Sequence, residues 1–152
     1  MAHYAKLGMN NVVLGVVYID TIKCVTKGGI EKESIGADYL RKVHGHETWV
    51  KCSYNTVGGV HIDGGTAFRA NFPAAGWTYD STNDIFYPPK PLDMNGVVCD
   101  SWTLNTTSGL WEPPITKPDE GGSGAQRPSK QWDEAAYQAD NTAGWVTVSF
   151  PS

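Results

Sequence analysis

Two phrases decide the fold. One is Gly76-Trp77-Thr78-Tyr79-Asp80-Ser81-Thr82-Asn83-Asp84-Ile85-Phe86-Tyr87-Pro88-Pro89. The other is Ser101-Trp102-Thr103-Leu104-Asn105-Thr106-Thr107-Ser108-Gly109-Leu110-Trp111-Glu112-Pro113-Pro114. Both place Trp two residues before an apolar residue, then an Asx, a turn-forming run, a second aromatic and a Pro-Pro stop. A looser third copy runs Gln131-Trp132-Asp133 and, after a longer spacer in which Glu134-Ala135-Ala136-Tyr137-Gln138 reads alternatively as a helical turn, Gly144-Trp145-Val146-Thr147-Val148. Each phrase predicts a β-hairpin. An Asx side chain bonds the backbone two residues on and starts a turn. Trp77 and Tyr79 share a strand face, as do Trp102 and Leu104. Phe86 and Trp111 return across the ladder, where a cross-strand pair adds about 0.2–1 kcal/mol. Proline then ends each return strand, because it has no N–H to give a ladder.

A two-stranded hairpin is marginal alone in water. These units are therefore expected to lean on one another, on the N-terminal part or on another protein. The side chains expected to maintain them, and in some cases to meet a neighbouring subunit, are Trp77, Tyr79, Phe86, Trp102, Trp111, Trp132 and Trp145.

Upstream, Asn11 to Asp20 is nearly all apolar and β-branched, which reads as a strand covered on both faces or central in a sheet. Met1 to Met9 reads as a short lead-in. Glu31 to Val43 is the one convincing helix: Ile35, Tyr39, Leu40 and Val43 form an apolar face, Ser34 or Asp38 caps the start and Gly45 ends it. Thr48 to Tyr54 reads as a strand with Trp49 and Val50 on opposite faces. Asn55 to Ala75 is a Gly-rich excursion. The expected class is mainly β with a minor α component: a small antiparallel sheet with one short helix at 1–75, then an extended arm of aromatic hairpins at 76–152. Gly-rich linker composition is centred near 119–125.

Composition narrows the function classes. The chain has 152 residues and a net charge of −4, and its Lys and Arg are scattered, so it lacks the basic footprint that nucleic acid demands. No apolar run approaches the roughly 20 residues of a membrane span, and a signal-peptide core is not evident at the start. The expected compartment is a cytosol or a particle assembled there. Cys24, Cys52 and Cys99 fit neither a disulfide framework nor a zinc spacing and read as small buried hydrophobes.

Chemistry-bearing candidates are few. His44-Gly45-His46-Glu47 with His61 and Asp63 offers metal-ligand types, but at no recognised spacing; a polar helix-to-strand turn explains it as well. Cys52 with His44 or His46 lacks the surroundings of a thiol nucleophile. The carboxylate pairs Asp80/Asp84 and Glu112/Asp119 read as turn and surface groups. No catalytic residue, cofactor site or metal site is assigned. The tryptophans also suit stacking on sugars, although each sits where its hairpin requires an aromatic.

The order of these phrases resembles a family of small virion structural proteins of marine tailed phages, cyanophages in particular. The matching pieces are Met1 to Leu7, Gly36-Ala37-Asp38-Tyr39-Leu40, Thr48 to Asn55, Phe68 to Asp80, Asp84 to Pro91, Ser101 to Leu104 and Trp111 to Pro114. They span most of the chain. The chain departs from the pattern in its insert at 55–66, its extra 93–100 and its Gly-rich stretch. The resemblance implies a non-enzymatic particle component, assembled in a host cytoplasm. It would bind other virion proteins of capsid or tail in many copies or as a homo-oligomer, and decorate or reinforce the shell. The alternative expectation is a glycan-binding module of a tail fibre or appendage. Neither role calls for nucleic acid, a membrane or a cofactor.

Overall fold

The protein is mainly β in a computed structural model that describes residues 1–118 and 129–148. The stretch expected as a linker, 119–125, lies outside them. In chain order the strands begin with β1 (Ala2–Leu7), β2 (Val13–Ile19) and, after helix α1 (Glu33–His44), β3 (Trp49–Cys52). Two short hairpins follow: β4 (Thr56–Val57) with β5 (Val60–His61), and β6 (Thr78–Asp80) with β7 (Ile85–Tyr87). A third pairs β8 (Thr103–Asn105) with β9 (Leu110–Glu112). The chain then forms β10 (Ser129–Trp132), a second short helix α2 (Glu134–Ala139) and β11 (Trp145–Val148), with β10 antiparallel to β11.

These elements form two compact units. The first comprises Met1–Pro89 with Asn105–Leu110, and the second Lys90–Leu104 with Trp111–Ser152. The expected boundary at residue 75 therefore falls elsewhere: hairpin β6–β7 belongs to the N-terminal unit and not to an arm.

In the first unit the sheet order is β2-β1-β3, all antiparallel. The central strand is β1, read from sequence as a lead-in, while the Val-rich β2 is an edge. Alternation in β1 explains this. Ala2 and Tyr4 face one core with Cys24, Ala37, Leu40 and Trp49, whereas Ala5 and Leu7 face another with Val13, Cys52 and Phe86. Both faces are thus covered, one by α1 and the other by β6–β7. The small Ala residues and the polar His3 and Lys6 hid a two-sided strand behind a weak propensity signal.

Helix α1 has no side-chain N-cap, contrary to the expected Ser34 or Asp38, and ends at Gly45 in the left-handed region as expected. Gly36 sits at its buried face because a Cβ there would lie 2.3 Å from the Tyr4 hydroxyl. That hydroxyl donates to the Glu33 carbonyl at 3.0 Å, so the missing side chain seats the helix on the sheet.

Candidate functional site

The two matched hairpin phrases fold alike at their tips. Asp80 Oδ1 accepts from the backbone N–H of Thr82 at 2.9 Å and Asn83 at 3.2 Å. Asn105 Oδ1 accepts from Thr107 at 2.9 Å and Ser108 at 3.0 Å. Both are the Asx turns the sequence predicts. Each loop closes through a left-handed residue at the same place, Asp84 (φ 55°) in one and Gly109 (φ 67°) in the other.

The difference at that position follows from what each tip meets in the first unit. Asp84 keeps its carboxylate to accept from Arg69 Nε at 2.7 Å and from the Tyr79 hydroxyl. At Gly109 a Cβ would lie 2.4 Å from Asn71 Nδ2 and 2.7 Å from the Phe86 carbonyl, so only glycine fits. Asn71 is 1% exposed. Its amide donates to the carbonyls of Phe86, Ser108 and Gly109 at 2.9–3.1 Å and accepts from Gly58 N–H at 2.8 Å.

Arg69 is the electrostatic centre of this unit. It grips Glu33 with two bonds of 2.5 and 3.0 Å, donates to the Lys51 carbonyl at 2.8 Å, and lies against the rings of Phe68 and Tyr79. The bidentate grip is the geometry guanidinium suits best. Burial opposes its charge, but Glu33 and Asp84 outweigh burial and raise its pKa above the ordinary value. Tyr79 is pushed up to about 12, chiefly by burial and then by its bond to Asp84. Arg69 and Ala70 both adopt left-handed backbone, φ 52° and 65°. That costs about 1–2 kcal/mol per residue, and the hydrogen bonds of Arg69 and Asn71 offset it.

The second unit is built on indoles. Trp132 is 4% exposed, and its ring meets Trp145 at 5.2 Å, Tyr137 at 5.5 Å and Trp102 at 5.9 Å. Trp145 also donates to the Ile115 carbonyl at 2.7 Å. The longer spacer of the third phrase holds α2, the helical turn the sequence offered as an alternative. Glu134 at its start is a buried carboxylate surrounded by donors: Ser101 Oγ at 2.6 Å, Ser101 N–H at 3.1 Å, Trp132 Nε1 at 2.9 Å and Gln138 Nε2 at 2.7 Å. Burial alone would raise its pKa; the hydrogen bonds from Ser101, Trp132 and Gln138 prevail and lower it.

The seven aromatic residues singled out by sequence thus fall into two groups. Trp77, Tyr79 and Phe86 pack on the sheet of the first unit, with Phe86 fully buried. Trp102, Trp132 and Trp145 pack mutually in the second. Trp111 is half-buried with Lys90 Nζ 5.4 Å from its ring. None of the seven belongs to the large apolar side chains left in water. The sequence reading missed which those are. In the second unit, Leu92, Met94, Val97 and Val98 are each 42–62% exposed. In the first, Val57, Val60 and Ile62 are 57–64% exposed. Val57, Val60 and Ile62 lie in the insert 55–66 and Met94, Val97 and Val98 in the insert 93–100, with Leu92 just before it; Met9, Leu14, Tyr18, Ile22, Ile30 and Val43 are among the exposed apolar residues elsewhere in the first unit.

The 92–98 loop is tightly held despite its exposed side chains. Asp93 Oδ1 accepts from Asn95 N–H at 2.8 Å and Val97 N–H at 2.9 Å, while Oδ2 accepts from Glu134 N–H at 2.8 Å. Asp93 N–H donates to the Val97 carbonyl at 2.8 Å, and Met94 N–H to the Trp132 carbonyl at 3.0 Å. These bonds fix the loop's backbone so that its apolar side chains are presented without a fold of their own to bury them.

The histidines and cysteines are disposed as follows. His46 Nε2 lies 2.6 Å from the Leu7 carbonyl, and the His44 and His46 rings both sit on Trp49. His61 Nδ1 accepts from Asp63 and Gly65 N–H, both at 3.1 Å. Among the described residues no group of three or more His, Cys, Asp or Glu side chains is placed to hold a metal. Cys52 is buried and its thiol pushed up to about 12, chiefly by burial. Its cross-strand partner His3 is shifted the opposite way by burial and the nearby amino terminus, so neither half of a thiolate–imidazolium pair is favoured. Among the described residues no helix is long and apolar enough to cross a membrane. No family model matches the chain, and no curated protein or solved structure matches it.

Proposed function

We propose that this is a non-enzymatic structural protein of a tailed-phage particle, present in many copies, that binds and decorates or reinforces the capsid or tail shell. The observation that carries the reading is the 92–98 loop: four exposed aliphatic side chains on a backbone fixed in advance by Asp93 and Trp132. Surface of this kind gains about 25 cal/mol per Å² when a partner covers it. A loop already ordered pays little further conformational entropy on docking. The resemblance of the ordered phrases to those of phage virion proteins supports the same reading. Met94, Val97 and Val98 of this loop lie in the insert 93–100, where the chain departs from that series, which suits a contact particular to its own shell. The contact is aliphatic, not aromatic: the indoles, expected from sequence to finish burying themselves on a neighbour, are spent holding the loop's support.

The test uses purified particles of the phage that carries the gene. The chain should be found in them at a fixed copy number, and purified chain should co-sediment with particles that lack it. Val97→Asp, at an exposed position, should leave the isolated fold intact and abolish co-sedimentation. Particles without the chain, or unchanged binding by Val97→Asp, would overturn the proposal.

A further inference from the structure

The first unit carries an open cleft of about 340 Å³ beside the end of β3, in the size range of a small-ligand site. One wall is aromatic: Tyr54 is 59% exposed, with its ring 5.3 Å from that of His3. Phe68 stands in the lining as well, with Lys51 Nζ 6.0 Å from its ring. The polar groups of the cleft come as matched donors and acceptors. Lys51 Nζ donates to Glu31 Oε1 at 2.7 Å, and both side chains remain partly exposed, at 30% and 40%. Asn55 adds an amide and Ser53 a hydroxyl.

This arrangement selects a class of ligand. The Lys51–Glu31 pair cancels its own charge, which leaves the amino group of Met1, also in the lining, as a further donor for a hydroxyl. His3 adds no charge at neutral pH, because burial and the amino terminus hold its pKa below the usual value. What remains is an acceptor, a donor and an amide beside exposed ring faces. A neutral polyol whose ring presents C–H bonds on one side and hydroxyls on the other satisfies both walls: the C–H face covers Tyr54, while adjacent hydroxyls bridge the carboxylate and the ammonium. We infer that the cleft bounded by His3, Tyr54, Phe68, Lys51 and Glu31 binds a neutral saccharide of one or two sugar units.

The inference stands independently of the shell-binding reading, since it rests on other residues and concerns a different partner. It is tested by titrating the isotopically labelled full chain with neutral sugars (glucose, galactose, mannose, N-acetylglucosamine and their β-linked dimers) to tens of millimolar, following backbone amides by NMR. At least one sugar should give saturable shifts confined to Lys51, Ser53, Tyr54, Asn55 and Phe68. Tyr54→Ala, an exposed position that leaves the remaining spectrum unchanged, should weaken that sugar at least tenfold, and Glu31→Gln should weaken it less. Inorganic phosphate at the same concentrations should bind more weakly. No saturable shift with any sugar, shifts centred elsewhere, equal affinity in Tyr54→Ala, or tighter binding of phosphate would each overturn the inference.

Discussion

The two units solve the same problem, a core too small for its hairpins, in different ways. The first splits its apolar residues between two faces of a three-stranded sheet and ties the outer pieces together through a cation, Arg69. The second collects its indoles on one side of a short strand pair and ties the loops to them through an anion, Glu134. In both, a single charged side chain makes four hydrogen bonds, all of those of Arg69 and the two from Ser101 to Glu134 being long-range in sequence. A small domain gains stability less from any one pair than from using every donor or acceptor of a buried charge, since each one left unmet costs about 1–3 kcal/mol. The contrast also has a consequence for robustness. The first unit has two cores, so damage to one leaves the other; the second gathers its rings around Trp132.

The largest expected effect breaks that contrast directly. Trp132→Ala should cost about 3–5 kcal/mol, typical of emptying an aromatic site, and should disperse the resonances of Trp145 and Tyr137 together. Phe86→Ala should cost a similar amount yet leave the α1 face of the sheet, around Tyr4 and Leu40, protected in hydrogen exchange. Loss of protection on both faces would mean that the two cores are one. Next in size, Arg69→Leu should lower stability by about 2–3 kcal/mol, because it strands the Glu33 carboxylate in a half-buried site; denaturant unfolding with an unchanged m-value would confirm it.

The charged centres also differ in how they meet acid. Glu134 has a folded pKa depressed below its unfolded value of about 4.3. Its contribution is therefore complete above that value and is lost as pH falls through the lower, folded one. Acid titration should red-shift tryptophan emission as the indole cluster opens, and Glu134→Gln should flatten that dependence at the expense of stability at neutral pH. A wild-type transition unaltered by Glu134→Gln would place the acid-sensitive group elsewhere. The smallest effect is at the turn: Asp80→Ala removes the two Asx bonds and should cost about 1 kcal/mol, read as a shift in the urea midpoint.

Much of this was legible in the sequence, and the boundary between legible and hidden has physical causes. The Asx turns, the Gly45 stop, the opposed faces of Trp49 and Val50 and the helical turn after Asp133 all follow from local chemistry, where a few adjacent residues determine the outcome. The central strand β1 was hidden because Ala2, Tyr4, Ala5 and Leu7 are buried on alternate faces, a pattern neither strictly alternating nor uniformly apolar. Arg69, Asn71 and Glu134 were hidden for a different reason. Their long-range partners lie 13 to 41 residues away, and nothing in a polar residue's immediate neighbourhood marks it for burial. The exposed aliphatic residues at 57–62 and 92–98 went unmarked, because no periodicity distinguishes an exposed apolar loop from a buried one.

The claim on which the rest depends is that the 92–98 loop is rigid while its side chains stand in water. Amide hydrogen exchange on the isolated protein tests this most directly. The amides of Met94, Asn95 and Val97 should exchange slowly, at rates close to those of β10 and β11, because each is bonded to Asp93 or to the Trp132 carbonyl. Exchange of these amides at the rate of an unstructured chain would show that the apolar loop is not held in advance, and the proposed shell contact would fail.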